Sequence, residues 1–293
     1  MNFATKFRFA NHTDVGKTRK QNEDSMGFFE APNGNGYVFI VCDGMGGHLG
    51  GAVASQTAIK AIRYFLEQEY FADAREAIKQ SLIFANQEIY HKAQTSPDLK
   101  NMGTTAVMVI YRDGHCYIGH VGDSRLYLYR DGLLSRLTKD HSFVQMLVDQ
   151  GVITDDEAEK HPRKNEILRA LGTEPRVEPE VRHTPFTPNI KDVLLLCSDG
   201  LNSMLSDFEI EGILDESREL QDKAVLFINS ANAKGGLDNI TVQLVEFLVG
   251  NTPPPISQLN QNPHTFTKSK LSDTNPLGIT TPDFPEEGLK KKW

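Results

Sequence analysis

Two apolar runs in this chain end in the same way. "YVFIVCDG" at 37–44 and "DVLLLCSDG" at 192–200 are each apolar enough for a buried strand, and each stops at an aspartate followed by glycine. After Asp43 the chain reads "GMGG", so three of the next four residues are glycine. A single Asp-Gly pair marks a turn more often than a site, because both residues suit backbone conformations that others resist. A feature that recurs at the end of two buried strands asks for a reason beyond turning.

The remaining pattern up to about Glu246 supplies the frame. "TTAVMVIYRDGHCYIGHVGDSRLYLYRDG" and "NITVQLVEFLV" are rich in β-branched and aromatic residues and broken by Asp-Gly signals. "NGNG" at 33–36 and the Asp-Gly pairs at 113 and 131 read as hairpin turns, which implies antiparallel pairing. Helical patterns run over about 51–68 and 72–94 with no strand between them, and further helices are expected near 143–150, 207–214 and 219–234. Strands in groups and helices in groups predict an α+β fold: two antiparallel sheets in a central sandwich with helices packed on both outer faces. From 250 to 293 the composition turns to Pro, Asn, Ser and Thr without periodicity. That segment is read as a flexible tail behind a folded body of residues 1–249.

Composition excludes several function classes. A formal charge of −8 offers no basic field for a nucleic-acid backbone. No window approaches the roughly 18 consecutive apolar residues of a membrane span, and the N-terminus lacks the apolar core of a signal peptide. The three cysteines, Cys42, Cys116 and Cys197, sit inside apolar runs, which suits buried thiols in a reducing compartment and predicts a cytoplasmic protein.

Familiar catalytic motifs fail on inspection. "VGKT" at 15–18 resembles the end of a nucleotide-binding P-loop, but Asn11 stands where that motif requires glycine. None of the cysteines is followed six positions later by arginine, as a thiolate phosphatase loop needs, and no Gly-x-Ser-x-Gly elbow is present. Nucleophilic side-chain catalysis has no good candidate.

What remains is acid at strand ends. Besides Asp43 and Asp199, Asp238 precedes the strand "ITVQLV", Asp123 falls between two strands in "GHVGDSRLYLY", and Glu23 and Asp24 stand just ahead of "SMGFF". If those strands share one end of a sheet, their carboxylates converge and repel. Hard divalent cations relieve such repulsion, and Mg²⁺ and Mn²⁺ favour carboxylate, carbonyl and water oxygens.

In order along the chain, "TDVGKTRKQNED" (13–24), "VCDGMGGH" (41–48), "MGTTAV" (102–107), "GHVGDSRLY" (119–127), "LTKDHS" (137–142), "ILRALG" (167–172), "LLLCSDGL" (194–201) and "DNITV" (238–242) resemble the motifs of the metal-dependent serine/threonine phosphatases, the protein phosphatase 2C (PPM) family, bacterial type. The resemblance spans about residues 5–248. It implies a phosphatase that hydrolyses phosphoserine and phosphothreonine in proteins, using a pair of Mn²⁺ or Mg²⁺ ions at one end of the sandwich. Asp43 matches the residue that bridges the two ions, Asp199 and Asp238 complete the first site, and the Gly44 carbonyl serves the second. Glu23 and Asp24 match residues that bind directly or orient metal waters, and Asp123 matches the ligand of a third, weaker ion held by bacterial relatives. Arg19 is the matching phosphate ligand, since a guanidinium can hold two phosphoryl oxygens at once.

The resemblance loosens at histidine. Some relatives have one directly after the Asp-Gly, where this chain has Met45; His48 and His141 are the remaining candidates for a proton donor, and each is equally well read as structural. Residues 143–172 resemble the helical flap beside the family's cleft. Partners implied are phosphorylated proteins and the serine/threonine kinases that make them, with the protein itself a monomer. Two other readings stay open: a phosphohydrolase for small esters or phosphotyrosine, and a phosphopeptide-binding module without catalysis.

Overall fold

Strand alternation decides how the layers stack. In the computed structural model, which describes residues 6–46 and 49–250, the strands are β1 (Phe7–Asp14), β2 (Ser25–Ala31), β3 (Gly36–Cys42), β4 (Gly44–Met45), β5 (Gly103–Thr104), β6 (Ala106–Arg112), β7 (His115–Val121), β8 (Arg125–Arg130), β9 (Leu133–Arg136), β10 (Glu180–Val181), β11 (Val193–Cys197) and β12 (Ile240–Phe247). They form two five-stranded antiparallel sheets, ordered β1-β12-β11-β8-β9 and β10-β7-β6-β3-β2, with β4 and β5 as a separate small pair. Along β3, Phe39 and Val41 join a core with Val107, Val109, Leu194, Leu196 and Val245, between the sheets. The intervening Val38, Ile40 and Cys42 pack outward. Both faces of β3 are therefore dry, and the run reads as continuously apolar rather than alternating.

The outward face of the second sheet meets α1 (Gly50–Gln68) and α2 (Ala74–Thr95). Small residues of α1 at Ala54, Ala58 and Ala61, on one stripe with Ile62 and Leu66, let the helix lie close to the strands. The outward face of the first sheet, with Leu195, Cys197, Val242 and Leu244, meets α5 (Asp199–Asn202), α6 (Asp207–Asp215) and α7 (Leu220–Ala233). The result is the expected helix, sheet, sheet, helix order. Between β9 and β10 lie two short helices, α3 (Phe143–Asp149) and α4 (Asp155–Lys160). The tail read from composition begins at Gly250, and its remaining residues lie outside the described ones.

The "NGNG" turn does join an antiparallel pair, with Ala31 opposite Gly36, through a 3₁₀ turn at Pro32–Gly34. The turns at Asp113 and Asp131 place the aspartate at positive φ (52° and 53°) and lead into β7 and β9. The helix α4 lies inside the segment that resembles the family's helical flap, though residue pattern alone does not place it. Its sequence, DDEAEK, has no apolar stripe, so periodicity is silent there, and it is held by a capping box between Thr154 and Glu157.

Candidate metal centre

Strands β3, β11 and β12 and the loop before β2 open at the same end of the sandwich. Asp43 follows the last residue of β3, and its backbone is pinned there. Its N–H donates to Thr105 Oγ1 (2.9 Å), and its carbonyl accepts from the Thr105 N–H and from Thr104 Oγ1 (2.8 Å each). Asp199 opens α5 directly after β11, and Asp238 stands two residues before β12. The carboxyl groups of Asp43 and Asp199 are close enough to shift each other's protonation. Asp24 accepts from Ser198 Oγ at 2.7 Å, and Ser198 Oγ in turn accepts the Thr241 N–H at 3.0 Å. Acids separated by more than 200 residues in sequence thus meet in one pocket of charge.

Their protonation shows the crowding. Burial, then the charges of Asp24, Asp199 and Asp123, pushes Asp43 well above the ordinary carboxylate range. Burial pushes Asp24 up to about 7, with Asp199 and Asp238 adding to the rise. Asp123 is raised by burial and by Asp199 and Asp140, and Asp199 by burial and Asp238. One carboxylate oxygen each of Asp24, Asp123 and Asp199 is buried without a hydrogen-bond partner among the described residues. Orphaned carboxylate oxygens of this kind are costly unless something cationic meets them. The donor set, all oxygen and all hard, fits divalent Mg²⁺ or Mn²⁺.

Glycine makes room on one side of this pocket. A Cβ on Gly44 would stand 2.1 Å from the Gly51 carbonyl oxygen and 2.5 Å from that of Glu23, and one on Gly51 would stand 2.3 Å from Glu23 Oε2. Backbone at 44, the first turn of α1 and the Glu23 carboxylate therefore share a space that any side chain would fill. On the other side Arg19, half exposed, donates through Nη2 to Asp238 Oδ2 at 2.7 Å.

His141 does not join the acids. It is buried, its Nδ1 accepts the Gly122 N–H at 3.1 Å, its Nε2 lies 3.3 Å from Glu180 Oε2, and its ring stacks on His120 at 4.6 Å. Burial and His120 push it down to about 4, so it is neutral at physiological pH. His120, His141 and Glu180 bring ligand-type atoms within 4.8 Å of one another. The tautomer that accepts from Gly122 carries its proton on Nε2 and leaves His141 no lone pair for an ion. His48 lies outside the described residues. Met45 is in β4, half buried, and offers no proton. "VGKT" proves to be the start of the Arg19 arm: its Lys17 and Thr18 N–H groups donate to the Gly236 carbonyl (2.7 and 3.2 Å), so they cannot cradle a phosphate. A polar cleft of about 550 Å³ opens beside Asp123 and Asp199, with Arg125, Arg136 and Asp140 in its lining and Lys164 and Asn165 contributed by residues 143–172.

This arrangement matches known proteins over about four-fifths of the chain. The family model for protein phosphatase 2C covers residues 14–248. The chain belongs to the protein phosphatase 2C family. A curated relative, the serine/threonine phosphatase stp of Listeria monocytogenes, is 44% identical over 238 residues, which is 80% of this chain and 93% of that one. The solved serine/threonine phosphatase of S. agalactiae superposes with a TM-score of 0.77 at 36% identity, covering 82% of this chain and 99% of the other. A structure of the catalytic domain of the phosphatase PstP in complex with two manganese ions superposes with a TM-score of 0.73 at 36% identity, over 83% of this chain and 99% of that one.

Within this family member, sequence reasoning missed part of what holds the acids in place. Ser198 and Asn239 are ordinary polar residues in sequence, and only their long-range bonds give them a part in the site, whereas Thr104 and Thr105, expected from the resemblance to support it, do so by holding the Asp43 backbone. Gly51 was hidden in the same way, because its neighbour Glu23 is 28 positions earlier.

Proposed function

We propose that this family member is a metal-dependent serine/threonine protein phosphatase that hydrolyses phosphoserine and phosphothreonine in protein substrates. The observation that carries the reading is the convergence of buried Asp123 with half-buried Asp24, Asp43 and Asp199, all but Asp43 with an oxygen unpartnered among the described residues, around one pocket rimmed by Asp238 and Arg19. In this reading Asp43, Asp199, Asp238 and the Gly44 carbonyl hold two Mn²⁺ or Mg²⁺ ions. Glu23 and Asp24 bind or orient their waters, and Asp123 holds a third, weaker ion. When bound, such ions supply an acidified water for attack on phosphorus and neutralise charge on the transferring group.

The chain's own residues do the rest. Arg19, at the rim and always charged, grips the phosphoryl oxygens and aligns phosphorus over the acid pocket. Thr104, Thr105 and Ser198 keep the acids from turning outward when they lose their protons. Among the described residues His141 does not join the acids, and in this reading water is the proton donor to the departing seryl or threonyl oxygen. Residues 1–249 act as the catalytic unit, with 143–172 as a flap beside the cleft and 250–293 as a tail. We place the protein in the bacterial cytoplasm as a monomer opposing serine/threonine kinases. The three free, buried cysteines support a reducing compartment, and among the described residues no helix is long and apolar enough to cross a membrane.

The test is phosphate release from a phosphothreonine peptide with Mn²⁺ and with excess EDTA. Turnover that survives chelation would overturn the metal reading, and p-nitrophenyl phosphate hydrolysis with no peptide hydrolysis would favour a small-ester enzyme.

A further inference from the structure

Arg19 stands at the tip of an arm, residues 15–23, that carries no regular secondary structure. A charge on such a loop is useful for catalysis only if both ends of the loop are fixed, because a displacement of about 1 Å at a phosphate contact is costly. Beside the Lys17 and Thr18 bonds to the Gly236 carbonyl, the side-chain fixing comes from one buried residue. Asn239, 4% exposed, donates through Nδ2 to the Val15 carbonyl at 2.9 Å and to the Gln21 carbonyl at 3.0 Å, and accepts the Glu23 N–H on Oδ1 at 2.8 Å. These bonds reach the arm on either side of Arg19. Both amide hydrogens and the carbonyl oxygen are used, so the orientation of the amide is fixed by the partners it meets.

The same residue also fixes the other half of the contact. The Asn239 backbone N–H donates to Asp238 Oδ1 at 2.8 Å, while Asp238 Oδ2 accepts from Arg19. Gly16 is pressed against the same segment: its φ is +81°, and a Cβ there would lie 2.2 Å from the Asp238 carbonyl oxygen. An arm this close to residue 238 cannot drift as a unit without losing the Asn239 bonds. We infer that Asn239 is a positioning residue for substrate phosphate, acting through Arg19 by setting the distance between the guanidinium and the acid pocket. The inference rests on Arg19 being the phosphate ligand of the proposed function.

A double-mutant cycle on the full-length, Mg²⁺-loaded protein tests it, with wild type, Arg19→Ala, Asn239→Ala and the double variant. Two quantities are read: KM for a phosphothreonine peptide, and the affinity for inorganic phosphate by calorimetry. Asn239→Ala is expected to raise KM and weaken phosphate binding about tenfold in the wild-type background, and by less than about twofold once Arg19 is gone. An equal loss in both backgrounds would make Asn239 merely structural and overturn the inference, as would no loss in either. If Arg19→Ala alone leaves phosphate affinity unchanged, the reading of Arg19 fails first, and this inference with it. Asn239→Ser, which is too short to reach Val15 and Gln21, runs in parallel and carries the cycle if the alanine variant does not fold.

Discussion

The interior of the sandwich and its acidic mouth are built from the same strands, a few residues apart, and they obey opposite rules. Phe39 and Val41 on β3, Leu194 and Leu196 on β11 and Val245 on β12 are fully buried among apolar neighbours, and Phe7 meets Phe39 edge-on at 5.2 Å. There, burial itself is the stabilising term. At the mouth, Asp43, Asp199 and Asp238 follow or precede those strands, and for Asp43 and Asp199 burial is the main force acting against the charged form. One region favours the folded state whatever the solution holds. The other depends on protons or cations, which teaches that fold and function here respond to different variables.

Substitutions that separate the two regions break the comparison most sharply. Asp43→Asn is expected to lower turnover of a phosphothreonine peptide by about 10³-fold or more, because it removes the acid at the centre of the pocket. It should leave the circular dichroism spectrum intact, since it also removes like-charge repulsion. A variant with near-normal turnover would show that the acids are not the working part. Phe39→Ala should do the reverse, costing about 3–5 kcal/mol of stability by denaturant unfolding while leaving turnover per folded molecule within a few-fold.

The mouth's dependence on protons can be measured without any turnover. Asp24 titrates near 7 in the folded protein against 3.8 ordinarily, so below about pH 4 both states hold the proton and the stabilisation is complete. As pH rises toward 7 the unfolded chain releases that proton first, and stability falls. EDTA-stripped protein should therefore melt several degrees lower at about pH 7.5 than at about pH 5.5, and Asp24→Asn should reduce that difference while the raised Asp43, Asp123 and Asp199 keep part of it. Mn²⁺ should raise the melting temperature more at the higher pH; a uniform rise at both would break the link between burial and charge. A smaller effect is expected at Ser198→Ala, which deletes the bonds to Asp24 and to the Thr241 N–H. It should cost about 1–2 kcal/mol and weaken Mn²⁺ binding by calorimetry, without changing the sheet.

The two regions also differed in how openly the sequence announced them. Strands buried on both faces, such as 38–42 and 193–197, are visible as unbroken apolar runs, and the acids that end them stand out against that background. From local pattern alone Asp24 and Asp238 were visible only as acids next to strands; the family resemblance put them with Asp199, and sheet order is the physical reason that they meet. Asn239 was less visible still. Its bonds run to residues 15, 21 and 23, across more than 200 positions, and an asparagine after an aspartate looks like part of a turn. The short helix α5 was hidden because four residues cannot show a period.

Strand order in the first sheet has a consequence for how the molecule comes into being. β12, which follows Asp238, is inserted between β1 and β11 and pairs with both, so the earliest and latest strands of the described chain are neighbours. During synthesis the first sheet stays split, with β1 lacking a partner, until about residue 247 has left the ribosome. Contacts that distant are slow to form and leave edges open in the interval. A nascent chain of this design has no half-active form: it acquires Asp238 and the strand that closes its sheet within the same ten residues, 238–247.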